Sequence, residues 1–197
     1  PRANVAALRI DEVLKTEVSI QDPESSVHPS ESVKGEIEFD HVSFAYPEAG
    51  ENVLTDISFK AKKGQTIAVI GSTGSGKSTL VNLIPRYYDV TKGSVKVDGV
   101  DVRDMTQKEL RDKLGYVPQK GVLFSGTIDS NIRYGKPEIS ESQVKEAAEV
   151  AQATEFIDTK PEKYESPVSQ GGTNVSGGQK QRLSIARAIA KDPEIFI

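Results

Sequence analysis

The chain has 197 residues, enough for one sizeable domain or for one domain with appendages. Its 25 Lys and Arg residues are outnumbered by 29 Asp and Glu residues, and this acidic balance argues against a general nucleic-acid-binding protein, which needs a basic face. Without Cys, the sequence excludes disulfide frameworks and thiolate metal sites. No apolar stretch approaches the roughly 20 residues that span a bilayer, so we expect the chain itself to be soluble.

The first 34 residues are predicted to form a helix and a linker. Residues 2–14 favour a helix because Val5, Leu8, Val13 and Leu14 fall roughly on one face. Two interpretations of this helix stay open: a fraying terminus, or the end of a longer helix. Residues 16–34 carry two prolines and five serines with little periodicity, a composition typical of a linker.

The next part of the chain shows strand patterns. Apolar spacing predicts strands near residues 37–46, 54–59, 66–70 and 94–97. The alternation in the first of them slips near His41, where a bulge would fit. The run at 66–70 is apolar throughout, as expected for a strand that is buried on both faces.

Helix signals follow. A Ser or Thr with a Glu or Gln three residues later predicts a capped helix start at three places. An apolar run at residues 195–197 begins another strand. The whole pattern predicts an α/β fold with a helical insertion between roughly residues 121 and 175. The three capping pairs are Thr106 with Glu109, Ser140 with Gln143, and Ser176 with Gln179.

A glycine-rich segment at residues 71–78 carries the strongest chemical signal, because it fits the pattern of Gly, four residues, Gly-Lys and Ser or Thr. Glycines let several backbone N–H groups point inward, and the start of the following helix adds partial positive charge. Lys77 would supply a full charge to the β- and γ-phosphates, and the Ser78 hydroxyl can ligate Mg²⁺. The segment therefore predicts binding of a nucleoside triphosphate.

A second segment, residues 175–179, places a Ser and two Gly at another helix start. Its N–H groups face outward and it contains no lysine, so it could read a phosphate that another loop already holds. Ser176 and Gln179 also satisfy a plain capping box. On local chemistry, both interpretations stay open.

Together, these segments resemble the nucleotide-binding domain of an ATP-binding cassette (ABC) transporter of the exporter type. Residues 71–78 resemble the family's Walker A loop, and residues 175–179 its Leu-Ser-Gly-Gly-Gln signature, with Val in the first position. Tyr46 resembles the aromatic residue of the A-loop, which stacks on adenine, and Gln119 resembles the Q-loop glutamine. Residues 126–132 are also similar to exporter sequences.

This resemblance implies a fold and its domains. It implies a P-loop NTPase cassette of ABC type, with an antiparallel β subdomain, a mostly parallel core sheet and an inserted helical subdomain at about residues 120–180. Residues 1–34 would be the end of the last transmembrane or coupling helix and a linker. Residues 35–197 would be the nucleotide-binding domain.

The resemblance also implies ATP and Mg²⁺ as cofactors. Lys77, Gln119 and Ser176 are the implied catalytic residues, and Ser78 and Gln119 the implied metal ligands. The implied nucleotide contacts are Tyr46, Gly71, Ser72, Thr73, Gly74, Ser75, Gly76, Lys77, Ser78, Thr79, Gln119, Ser176, Gly177, Gly178 and Gln179.

The implied partners are a second cassette and a transmembrane domain, with no nucleic acid. Each ATP would lie between Walker A of one cassette and Ser176, Gly177 and Gly178 of the other. Loss of the γ-phosphate would then open the dimer and drive the transporter between its two states. The expected location is the cytoplasmic face of the cell membrane, within an integral membrane transporter that exports drugs or lipids.

Two departures from the family pattern matter. Ser169 and Gln170 stand where homodimeric exporters tend to have Gly-Glu, which favours a heterodimer with unequal ATP sites. The sequence also stops before the Walker B aspartate and the catalytic carboxylate, so we expect a fragment that hydrolyses little ATP alone. The alternatives are an ATP-sensing cassette with a degenerate, weakly hydrolysing site in a heterodimeric exporter, and a soluble ABC ATPase that takes no part in transport.

Overall fold

The computed structural model describes residues 2–47 and 49–197. It begins with helix α1 (Arg2–Lys15), as predicted. Its apolar side chains Ile10, Val13 and Leu14 are exposed. None of the described helices combines the length and the apolar character needed to cross a bilayer.

Four strands form an antiparallel sheet in the order β2-β1-β3-β4. The predicted bulge is confirmed, since the register of β1 against β2 shifts between Phe39 and Val42, and His41 has a φ of 50°. The bulge brings Phe39 and Val42 to the same buried face although they are three residues apart. The elements in this part are β1 (Ile37–Phe44), β2 (Leu54–Ala61), helix α2 (Lys77–Leu83), β3 (Lys92–Val97) and β4 (Val100–Asp101).

The buried face of this sheet packs with helix α2. Leu80 and Leu83 of α2 share one core cluster with Phe39, Val42 and Val95 of the sheet. Each such side chain contributes about 1.5–3 kcal/mol when it is fully buried. This packing fixes the first turn of α2 relative to the sheet.

The second half of the chain is mainly helical. Leu110, Leu114 and Ile195 join the core of the sheet, whereas the residues between Leu123 and Ala190 form a core of their own. Leu183 and Ala186 of the long helix α7 lie at the centre of that core and are fully buried. The strands β5 and β8 pair in parallel, and β6 and β7 pair antiparallel. The elements are α3 (Gln107–Asp112), β5 (Leu114–Gly115), β6 (Gly126–Thr127), α4 (Ile128–Ile132), α5 (Glu141–Val150), α6 (Thr154–Asp158), β7 (Pro167–Val168), α7 (Gly177–Ala190) and β8 (Ile195–Phe196).

The predicted helix caps are present. Ser140 and Ser176 each accept the N–H of the glutamine three residues on, whose side chain reaches back to the N–H of the serine. Thr106 likewise accepts the N–H of Glu109. The Glu109 carboxylate, however, is hydrogen-bonded to Nδ1 of His28 at 2.9 Å. Its side chain therefore contacts the linker and does not close a capping box.

The linker is fastened to the start of α3. The Asp22 carboxylate accepts the backbone N–H of Gln107 at 2.8 Å, and this hydrogen bond lowers the pKa of Asp22. The Val27 N–H donates to the carbonyl oxygen of Asp104 at 2.8 Å. Residues 22–28 therefore form a strap across this helix start, which the linker composition did not predict.

The strand predicted at residues 66–70 is wrong. These residues have no regular secondary structure, and Ile70 is 92% exposed. A strand needs a neighbouring strand that accepts and donates its backbone hydrogen bonds. No strand among the described residues pairs with residues 66–70, so they do not form one. Among the residues that the structure describes, parallel pairing is confined to β5 and β8, where Ile195 is buried and Phe196 is exposed.

An ion cluster joins the antiparallel sheet to α3 and β8. The Lys113 ammonium lies 3.0 Å from the carboxylates of both Asp98 and Glu194. Asp98 is 2% exposed, and its other oxygen accepts the Glu36 N–H at 3.0 Å. Burial opposes the charge on Lys113, but its bonds with Asp98 and Glu194 raise its pKa above the ordinary value.

We expect Lys113→Met to destabilise the protein by about 3 kcal/mol, because it leaves the buried Asp98 carboxylate without its cation. Adding Asp98→Asn should restore part of this loss, since it removes the stranded charge. Urea denaturation followed by circular dichroism measures the free energy of unfolding of each variant.

Lys108→Met is the matched control for this prediction. Lys108 pairs with Asp112 on the same helix, but its side chain is 86% exposed. Exposed pairs contribute about 0–1 kcal/mol, so this variant should unfold almost like the unmodified protein. Equal losses from Lys108→Met and Lys113→Met would contradict the structural role of the cluster.

Candidate functional site

The glycine-rich loop ends in a backbone conformation that favours glycine. Gly76 is the N-cap of α2 and has a φ of 86°, and Gly74 has a φ of 83°. A Cβ atom on Gly76 would lie 2.9 Å from Leu54 Cδ2 and 3.2 Å from the Val53 carbonyl oxygen. The loop is therefore packed against the start of β2 at a point where only glycine fits.

Lys77 extends back over this loop. Its Nζ donates to the carbonyl oxygens of Gly71 at 2.8 Å and Ser72 at 2.6 Å. No ion pair with Lys77 occurs within residues 2–47 and 49–197. A Cβ atom on Gly71 would lie 2.6 Å from Ser75 Oγ, so the loop closes tightly on itself. The ammonium thus stands at an exposed loop with neutral partners that an anion can replace.

A cleft of about 910 Å³ opens beside the loop. Lys77 and Ser78 line it from α2, Tyr116 and Gln119 line it from the segment after β5, and Ile195 lines it from β8. The structure therefore brings together three of the predicted site residues, Lys77, Ser78 and Gln119. The Ser78 hydroxyl and the Gln119 amide oxygen are of the ligand type that Mg²⁺ prefers, so the residues present fit this ion.

Tyr46 follows β1 and stands against the first turn of α2. It is half-buried, and its hydroxyl lies 2.8 Å from Thr79 Oγ1. The Thr79 side chain is buried, in contrast to the exposed side chain of Ser78. Tyr46 and Thr79 were both predicted to contact the nucleotide, and in the structure their hydroxyl groups are hydrogen-bonded to each other.

The second glycine-containing segment forms the start of α7. Ser176 closes the capping box, Val175 is buried, and Gly177 and Gly178 are exposed. A Cβ atom on either glycine would meet nothing within 4 Å. None of residues 175–179 belongs to the described lining of the cleft beside Lys77. Within one chain, the two predicted segments therefore belong to separate surfaces.

Sequence reasoning missed Arg187, which links α7 to the segment after Gln119. Its guanidinium donates to the carbonyl oxygens of Asn131 at 2.8 Å and Val122 at 3.0 Å, and lies 5.4 Å from the ring centres of Phe124 and Tyr134. Burial lowers the pKa of Arg187. No local pattern marks it, because α7 carries other basic residues and only tertiary contacts single this one out.

Comparisons with known proteins agree with these motifs. The family model described as ABC transporter matches residues 54–197. An uncharacterized ABC transporter ATP-binding protein of Mycobacterium bovis is 48% identical over 100% of this chain and 34% of its own length. A Bacillus subtilis protein, named provisionally as a multidrug export ATP-binding/permease protein, is 48% identical over 85% of this chain and 29% of its own.

A solved structure extends the comparison to the fold. A bacterial Atm1-family ABC exporter with ATP bound is 34% identical, with a TM-score of 0.89, over 99% of this chain and 34% of that one. The likeness confirms the expected cassette fold. The chain spans about a third of the length of the curated relatives that it matches.

We expect Gly76→Ala to destabilise the protein by about 1–3 kcal/mol, because the added methyl group meets Leu54 and Val53 while the backbone keeps a positive φ. Gly50→Ala is the control, since a Cβ atom there meets nothing within 4 Å. Thermal unfolding of both variants tests this, and equal midpoints would show that the close approach at Gly76 is unimportant.

Proposed function

The chain belongs to the ABC transporter family, and we propose that it is the ATP-binding and hydrolysing domain of an exporter of the multidrug or lipid type. The observation that carries this proposal is the Lys77 ammonium, which stands over a tight glycine loop with neutral carbonyl partners. A triphosphate would replace the carbonyl oxygens of Gly71 and Ser72 as the acceptors of the Lys77 hydrogen bonds. It would gain charge-assisted hydrogen bonds in their place.

The cleft beside the loop supports the metal and hydrolysis chemistry of this proposal. Ser78 and Gln119 would hold Mg²⁺, which neutralises charge on the β- and γ-phosphates when it is bound. Gln119 follows β5, and the same segment continues to Val122. The Val122 carbonyl oxygen accepts a hydrogen bond from the Arg187 guanidinium. A shift of Gln119 at the nucleotide would thus act on a segment that is tied to α7.

The separate position of the signature supports an arrangement of two cassettes. Gly177 and Gly178 are exposed and do not line the cleft of their own chain, so their N–H groups would be available to a nucleotide held by a partner. In this arrangement, Ser176, Gly177 and Gly178 would close over the γ-phosphate of the facing cassette. We place a heterodimer before a homodimer, because of Ser169 and Gln170.

The N-terminal part supports attachment to a transmembrane domain at the cytoplasmic face of the membrane. Helix α1 has an exposed apolar face, and the strap at residues 22–28 fastens the linker to α3. Motion of α1 would therefore be transmitted to the cassette at a fixed point. A freely jointed linker would lose most of that motion.

A second candidate function is ATP sensing by a weakly hydrolysing site. The same departure at Ser169 and Gln170 favours it, because it resembles the subunits of exporters with unequal ATP sites. In that case, nucleotide binding would regulate the dimer while the partner's site turns over. The loop, the cleft and the dimer arrangement would be the same in both functions.

We expect Lys77→Ala to weaken Mg-ATP binding by roughly 10- to 150-fold, the effect of losing hydrogen bonds from a charged donor. Isothermal titration calorimetry on the complete gene product measures this. Lys63→Ala removes an exposed lysine that does not line the cleft and should bind ATP normally. Unchanged affinity in Lys77→Ala would refute the phosphate-binding role of the loop.

We expect Ser176→Ala to impair ATP-dependent dimerisation of the cassettes while ATP binding to a single cassette is kept. Ser140→Ala is the matched control, because both serines cap a helix through the same capping box and each loss costs about 1 kcal/mol of helix stability. Multi-angle light scattering with and without Mg-ATP measures the dimer. If both variants dimerise equally well, Ser176 is only a helix cap.

A further inference from the structure

The Tyr46 ring is restrained on three sides. The ring centre of Phe44 lies 4.9 Å away at an interplanar angle of 81°, and that of Tyr88 lies 5.2 Å away at 90°. The Tyr46 hydroxyl is hydrogen-bonded to Thr79 Oγ1 at 2.8 Å. Edge-to-face contacts restrain rotation of the ring, and the hydrogen bond holds its tip.

One loop also fixes the backbone beneath this ring. Residues 88–91 lie between α2 and β3, and they carry Thr91 as well as Tyr88. Thr91 Oγ1 accepts the Ala45 N–H at 3.1 Å, and the Thr91 N–H donates to the Ser43 carbonyl oxygen at 2.9 Å. The segment that bears Tyr46 is therefore attached to both ends of α2, at Thr79 and at the loop that follows the helix.

Burial of the Tyr88 side chain explains only part of what this residue contributes. Its side chain is 36% exposed, so burial of its own surface provides only part of its usual stabilisation. Its contact with Tyr46 has a definite effect instead, because a ring that is already fixed loses little conformational entropy when a flat partner stacks on it. The contacts with Tyr88 and Thr79 thus prepare Tyr46 for stacking.

We propose that Tyr88 and Thr79 are positioning residues, which hold Tyr46 in the orientation that stacks on adenine and so set how much the base adds to nucleotide affinity. The inference rests on the proposed function, in which Tyr46 contacts the base. It adds that selectivity for a base over a bare triphosphate depends on two residues that are not required to touch the base.

The test measures two dissociation constants for each variant of the complete gene product, one for Mg-ATP and one for Mg-tripolyphosphate, which has no base. Their ratio reports the contribution of the base. We expect Tyr88→Leu to reduce this ratio by about three- to tenfold, the value of a lost aromatic pair, while tripolyphosphate affinity is unchanged. Tyr88→Phe keeps the ring and should keep the ratio.

Two further variants make the result specific. Tyr87→Leu removes a neighbouring aromatic residue that contacts Tyr116 and Arg111, and it should leave the ratio unchanged. Thr79→Val removes the hydroxyl with little change in shape and should reduce the ratio, which supplies a second measurement if Tyr88→Leu folds poorly.

Tyr46→Ala distinguishes the positioning role of Tyr88 and Thr79 from the proposed stacking of Tyr46 on adenine. If Tyr46→Ala leaves the ratio unchanged, Tyr46 does not stack on the base and the proposed adenine contact fails. If Tyr46→Ala reduces the ratio while Tyr88→Leu and Thr79→Val do not, the stacking stands and the positioning role is overturned. A reduction of the same size in Tyr87→Leu would also overturn it.

Discussion

The close approach of Gly76 to the start of β2 is the constraint on which the rest of the site depends. It fixes where α2 begins, and successive residues of a helix point about 100° apart. Lys77 and Ser78 consequently line the cleft, while Thr79 turns inward to meet Tyr46. Three consecutive residues thus serve three different contacts, and a slip of one position would misplace all of them.

Local chemistry was predictable from the sequence, and long-range pairing was not. The helix caps at Ser140 and Ser176 need only residues three apart, and both are present. The glycine loop is also a local pattern. The run at residues 66–70 carries the right composition for a buried strand, but a strand requires partners that composition does not supply. The role of Arg187 could not be predicted either, because its contacts are with residues more than 50 positions away in the sequence.

The two parts of the chain are joined by polar contacts as well as by apolar packing. Lys113 connects the sheet to β8 through Asp98 and Glu194, and within the helical part Arg187 connects α7 to the segment after Gln119. Polar contacts have defined directions and distances, so a small displacement breaks them outright, whereas apolar contacts give way gradually. Such contacts hold the elements that they join in one relative arrangement.

The two helices that begin with a capping serine differ in the residues that follow the cap. Ser140 is followed by Glu141, a good helix former, whereas Ser176 is followed by Gly177 and Gly178, and glycine is the weakest helix former after proline. The glycines gain nothing from packing, since a Cβ atom on either would meet open space. Between the two N–H groups of the capping box, they leave the N–H groups of Gly177 and Gly178, which have no side chain of their own to cover them. A helix start that gives up stability in this way is suited to an anion arriving from another molecule, as the proposed dimer requires.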